Sequence, residues 1–196
     1  MNIGKIKVRK LLLILVIILL LSFISGVLFI SILDEQNKEL ITSSINNYFN
    51  SINKNRINYL KGFLTDFSGN LFFNLFVWLM GISIVGVIVV ILALMFKGFL
   101  VGFSFCSILY TYGFKGLVVG MVYIIPQIIS LFIFFIVSYY AVDFSLLLFK
   151  NLFRKKDYNK KVIMYRYLKL LMVSSCFVLL NTLINVFLVP NILLLF

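Results

Sequence analysis

Apolar and polar positions alternate along this chain in long blocks, and the block lengths are those of a bilayer. Leu11 to Leu33 carries no charge. The runs 71–96, 98–112, 117–149 and 170–189 are likewise dominated by Leu, Ile, Val and Phe. A helix rises about 1.5 Å per residue, so roughly 20 apolar residues cross a hydrocarbon core of about 30 Å. Five spans are predicted, the third of them short. The fourth run exceeds spanning length and must tilt, bend or project, with Pro126 the position where a backbone donor is missing.

The stretch 34–70 breaks this pattern. Its polar composition is interrupted by Ile41, Ile45, Tyr48 and Ile52, and again by Ile57, Leu60, Leu64 and Phe67. Helical spacing of these apolar residues predicts two short amphipathic helices, separated near residues 53–55. The first is the candidate docking face for a partner.

Composition sharpens the picture. Of 196 residues 63% are hydrophobic and 12% charged, and mean hydropathy is +1.13, whereas soluble domains carry about a quarter charged residues. The reading is an all-α polytopic integral membrane protein forming a single membrane domain. The net charge of +12 does not point to nucleic acid, because the basic residues flank apolar runs. Lys5, Lys7, Arg9 and Lys10 precede the first span, which lacks a small-x-small cleavage pattern and reads as a retained anchor. Eight basic residues and one acid occupy 150–169, which predicts a cytoplasmic loop. The N-terminus is then cytoplasmic, the 34–70 loop extracytoplasmic, and the C-terminus extracytoplasmic. The same basic segment suits anionic lipid, at about 1 kcal/mol per residue near the surface.

The residue types leave little for catalysis. The chain has no histidine, which removes the commonest general base and metal ligand. Cys106 and Cys176 lie in apolar stretches and predict neither a disulfide nor a metal site. No phosphate-cradling motif is present, and no cofactor is expected. Asp143 is the one acid inside an apolar run, either a functional group or a residue of the membrane interface. Ser174, Asn181 and Asn185 share a face of the fifth span, where amides join helices.

The most specific internal pattern is Phe96-Lys97-Gly98-Phe99-Leu100-Val101-Gly102, echoed by Phe114-Lys115-Gly116-Leu117-Val118-Val119-Gly120. Glycines four apart let helix backbones approach closely. Gly81, Ser83 and Gly86 make a further small-residue stripe. These faces form either crossings within one chain, a homodimer seam or the wall of a conduit.

The run Leu79-Met80-Gly81-Ile82-Ser83-Ile84-Val85-Gly86, the Gly98 and Gly102 motif, and Ile125-Pro126-Gln127 together resemble the stage II sporulation protein M family. The likeness is best over 78–149. Ile128 departs from it, standing where the family pattern has Asn. The resemblance implies five spans and a non-catalytic membrane anchor in the engulfment machinery of endospore-forming bacteria, in the mother-cell membrane at the septum and engulfing edge. Its partners would be stage II sporulation proteins D and P, the peptidoglycan hydrolases that it positions. A transporter or channel subunit is the competing expectation, and a membrane-embedded enzyme centred on Asp143 a third.

Overall fold

The computed structural model describes residues 3–53, 58–83, 85–154 and 160–193. These form helices α1 (Ile3–Ile32), α2 (Glu35–Asn53), α3 (Tyr59–Gly81), α4 (Gly86–Tyr112), α5 (Lys115–Arg154) and α6 (Lys160–Leu183). A π-helical turn, Ile184–Leu188, joins α6 to the short α7 (Val189–Leu193). Among the described residues there is no strand. Five stretches are long and apolar enough to cross a membrane: Lys10–Ile32, Tyr59–Gly81, Gly86–Tyr112, Gly116–Phe149 and Ile163–Ile192. The protein is thus an all-α polytopic membrane protein.

The spans are divided differently from the sequence expectation. A break was expected at Lys97, between runs 71–96 and 98–112, but α4 passes through Lys97 without interruption and the chain turns at 82–85 instead. Small residues explain the choice of turn. Gly86 lies so close to the Met80 carbonyl that a Cβ there would overlap it. The Ser145 hydroxyl donates to the Ser83 carbonyl at 2.7 Å, satisfying a helix end that would otherwise be bare. The second span correspondingly starts earlier. Asn58 caps α3 by accepting from the Lys61 amide at 3.0 Å, so the amphipathic stretch expected as a separate helix over 57–67 is the first part of a span. The break expected near residues 53–55 borders residues 54–57, outside the described residues.

The basic segment 150–169 is also shorter as a loop than expected. Helix α5 runs on to Arg154 and α6 begins at Lys160, while residues 155–159 lie outside the described residues. With 40 residues, α5 is about 60 Å long, and it projects beyond the hydrocarbon core. Pro126 is buried within it and the helix continues through that position.

Helix α1 lies along α4, where small residues bring the backbones together. A Cβ on Gly98 would overlap the Ser22 hydroxyl, one on Gly102 the Phe23 carbonyl, and one on Gly26 the Phe99 carbonyl. The Phe29 ring closes this crossing against Phe99 and Phe103, at 5.3 and 6.0 Å. The second glycine pair also packs inside the protomer, Gly116 against the Ile108 carbonyl and Gly120 against Phe105. All four motif glycines therefore serve crossings within one chain. At Gly113, φ is +57°, a conformation that favours glycine, and this allows the tight turn from α4 to α5.

The main core gathers Leu15, Val77, Val90, Leu94, Phe134, Val137 and Ala141 from four spans. Toward the 82–85 turn it ends in a clamp between α3 and α6. The Trp78 indole donates to the Tyr167 carbonyl at 3.1 Å, and the Tyr167 hydroxyl donates to the Trp78 carbonyl at 2.7 Å. Their rings stack at 5.2 Å, with Phe144 on Tyr167 at 4.3 Å. Gly81 lets this happen, since a Cβ there would overlap the Tyr167 hydroxyl and sit 2.8 Å from the Ala141 backbone.

Candidate functional site

At the opposite end of the bundle the helices splay, and α2 lies across the gap. Its sequence dictates the placement, because the apolar stripe of an amphipathic helix must be covered. Ile52 packs on Val189 with Phe49, Val119 and Val122. Phe49 meets the Tyr112 ring at 5.2 Å, and the Tyr112 hydroxyl donates to Asn46 at 2.9 Å. Lys38 pairs with Glu35 at 3.0 Å and lies over the Tyr110 ring. The Glu35 carboxylate raises the Lys38 ammonium above its ordinary pKa. Burial over the bundle likewise pushes the Tyr48 phenol up.

Beneath α2 is a cavity of about 1090 Å³, slightly larger than small-molecule sites of about 300–1,000 Å³. Ile41, Ile45, Tyr48, Phe103, Ile108 and Val186 give it apolar walls. Besides Ser44 and Ser51 of α2, its polar lining includes Asp66 of α3, Ser104 and Ser107 of α4, Tyr123 and Gln127 of α5, and Asn185 of the π-helical turn. The turn has a local cause. Pro190 has no N–H for the carbonyl of residue 186 and its ring crowds that carbonyl, and the helix widens just before it. Asn185 within the widened turn donates to Asp66 Oδ1 at 3.1 Å. The second carboxylate oxygen, Oδ2, is buried and has no hydrogen-bond partner among the described residues.

A line of polar groups runs inward from the cavity along one face of α3, through Asp66, Asn70 and Asn74, at four-residue spacing. Asn70 Nδ2 donates to the Asp66 carbonyl at 3.1 Å. Asn70 Oδ1 accepts from Lys97 Nζ at 2.6 Å and from the Ser130 hydroxyl at 2.9 Å. Lys97 is 9% exposed, near the middle of α4, with its ammonium 5.6 and 5.8 Å from the Phe73 and Phe134 ring centres. An intramembrane Lys costs about 3 kcal/mol on insertion scales. Interhelical hydrogen bonds offset about 0.6–2 kcal/mol, and aromatic faces about 0.5–2 kcal/mol. Asn74 Oδ1, further along, is buried without a partner among the described residues.

The sequence-predicted residues divide between places. Ile41, Ile45, Tyr48, Gln127 and Asn185 meet at the cavity. Ile52, expected to face a partner, is 1% exposed and holds α2 to the bundle. This is a correction, and its cause is that the expected docking stripe is the face α2 needs for its own packing. Gly81 belongs to the α3–α6 clamp, Gly86 to the 82–85 turn, Gly98 and Gly102 to the α1 crossing, and Gly116 and Gly120 to the α4–α5 crossing. Asn181 is buried, but its amide oxygen has no hydrogen-bond partner among the described residues, so that atom joins no helix. Asp143 is half-buried on α5 beside Tyr139, toward the end of the apolar stretch and away from the cavity. Sequence reasoning missed Lys97 and Asp66. The signal for Lys97 was the unbroken apolar run on both sides of it, and for Asp66 its four-residue spacing from Asn70 and Asn74.

Among the described residues no three His, Cys, Asp or Glu side chains converge as a metal centre requires. What converges instead is a bundle of membrane helices around a partly polar cavity. The chain belongs to the Stage II sporulation protein M family, whose model matches residues 14–190. No curated protein and no solved structure gives a match.

Proposed function

We propose that this protein is a non-catalytic membrane anchor of endospore formation that holds peptidoglycan hydrolases, the stage II sporulation proteins D and P, at the septum and engulfing edge of the mother-cell membrane. Family membership supports the sporulation setting. The observation that carries the anchoring role is α2. This helix lies outside the spans, is fixed to the bundle by its buried stripe, and turns a polar face outward on which Gln36, Asn47 and Asn50 are exposed. A rigid helix presented beside the membrane surface is a docking platform, whereas a flexible loop would lose more entropy on binding. The basic residues at both cytoplasmic ends of the first and fourth spans favour an extracytoplasmic α2, the side on which peptidoglycan lies.

The test is recovery of hydrolases with the tagged protein from sporulating-cell membranes, comparing wild type with Asn47→Lys/Asn50→Lys on the outer face of α2. Recovery with wild type and about tenfold loss with the variant is expected, equivalent to about 1.4 kcal/mol. Absence of any hydrolase with wild type would overturn the anchor.

The line from the cavity through Asp66 and Asn70 to Lys97 favours a second reading, a solute conduit, since intramembrane charges mark pathways. Proteoliposome flux that disappears with Lys97→Met would select it. Under the anchor reading, the same variant shows no flux to lose and is stabilised by about 1–3 kcal/mol, because removing a buried charge removes its desolvation cost.

A further inference from the structure

The cavity has a charge pattern that hydrolase docking does not use. Among the described residues its lining holds two charged side chains, Asp66 and Lys61. Both belong to α3 and lie five positions apart, about 7.5 Å along the helix. Lys61 is exposed at the rim, whereas Asp66 is half-buried. The Asp66 carboxylate is held on one side by Asn185, while its buried Oδ2 is without a partner among the described residues. An ionised carboxylate only accepts hydrogen bonds, and the hydroxyls of Tyr123, Ser104 and Ser107 add small polar groups to the same cavity.

This pattern selects a ligand class. A divalent cation wants six or more oxygen ligands with several carboxylates among them, and one acid is present. A simple anion would meet the Asp66 charge on entering. A zwitterion with its cation leading and its anion trailing matches both charges. Wall chemistry narrows the class further. Asp66 lies about 10 Å along α3 from the start of the apolar stretch at Tyr59, and Ile41, Phe103 and Val186 line the same cavity. The volume of about 1090 Å³ holds a headgroup together with part of an acyl chain.

We infer that the cavity binds an aminophospholipid, with its primary ammonium donating to the Asp66 carboxylate, its phosphate facing Lys61, and one acyl chain along the Ile41, Phe103 and Val186 wall. A primary ammonium offers three donors in a compact charge, and a charge-assisted bond to a buried carboxylate is about twice as strong as a neutral one. Quaternary headgroups have no N–H to give. The lipid becomes a structural filler under α2 that stiffens the platform, and this holds whether or not hydrolases dock on it.

The experiment compares lipids on the purified full-length protein in detergent, by native mass spectrometry with titrated phosphatidylethanolamine, phosphatidylcholine and phosphatidylglycerol. Phosphatidylethanolamine should bind about tenfold more tightly than phosphatidylcholine, a difference of about 1.4 kcal/mol. Asp66→Asn should bring the two within about twofold, and Lys61→Gln should weaken both alike. Equal binding of the two lipids by wild type overturns the proposal without any variant having to fold, as does a preference that survives Asp66→Asn. Binding of free phosphoethanolamine as tightly as the lipid overturns the acyl-chain part. Hydrolase recovery is scored separately, so loss of one result leaves the other standing.

Discussion

The two ends of α3 meet their neighbours in opposite ways. Near Gly81 the helix is in backbone contact with Ala141, and Trp78 and Tyr167 exchange hydrogen bonds across the α3–α6 seam. Near Asp66 the same helix faces a cavity, and it meets the π-helical turn that follows α6 through one amide from Asn185 and the stacked rings of Tyr59 and Phe187, 5.6 Å apart. One helix thus has a closed end, where small residues and aromatic rings fix the crossing, and an open end, where polar groups surround unfilled volume. In a membrane, where lipid tails are as apolar as core residues, close packing is what holds helices together. The closed end therefore determines the fold, and the open end is available for binding.

Mutations at the two ends should separate these roles. Gly81→Val drives a branched side chain into Ala141 and Tyr167, and should destabilise by about 3 kcal/mol or more, read as a fall in thermal unfolding temperature in detergent or as failure to accumulate. Tyr167→Phe removes the hydroxyl that donates to Trp78 while keeping both stacked rings, and should cost about 1 kcal/mol in the same assay. Ile45→Ala at the cavity wall should cost less than about 1 kcal/mol, since a side chain bordering open volume has fewer contacts to lose. If Ile45→Ala proves as damaging as Gly81→Val, the two ends are equally load-carrying and the contrast fails.

The number of spans could be read in the sequence because hydrophobic run length is set by bilayer thickness, a constraint that acts on each segment separately. The division between the second and third spans could not. A charge at Lys97 looks like a loop residue until Asn70 and Ser130, which are distant in sequence, are seen to satisfy it. The turn at 82–85 was marked by Gly81, Ser83 and Gly86, which the sequence showed as a packing stripe. The periodicity of α2 was legible, but not what its stripe faces. Ile41, Ile45 and Tyr48 line the cavity while Ile52 is consumed in fixing the helix, and an apolar face looks the same in sequence whether its partner is another protein or the rest of the chain. In the sequence Asp66 looks like a solvated loop acid, because the start of α3 is polar enough to resemble a loop.

The crossing of α1 with α4 carries a consequence for biosynthesis. About seventy residues separate Gly26 from Gly98, and at 5–20 residues per second their synthesis takes about 4–14 s. Throughout that interval the notch formed by Ser22 and Gly26 has only lipid, or a neighbouring protein, against it. Helix α1 must therefore wait in the membrane for the helix that completes it.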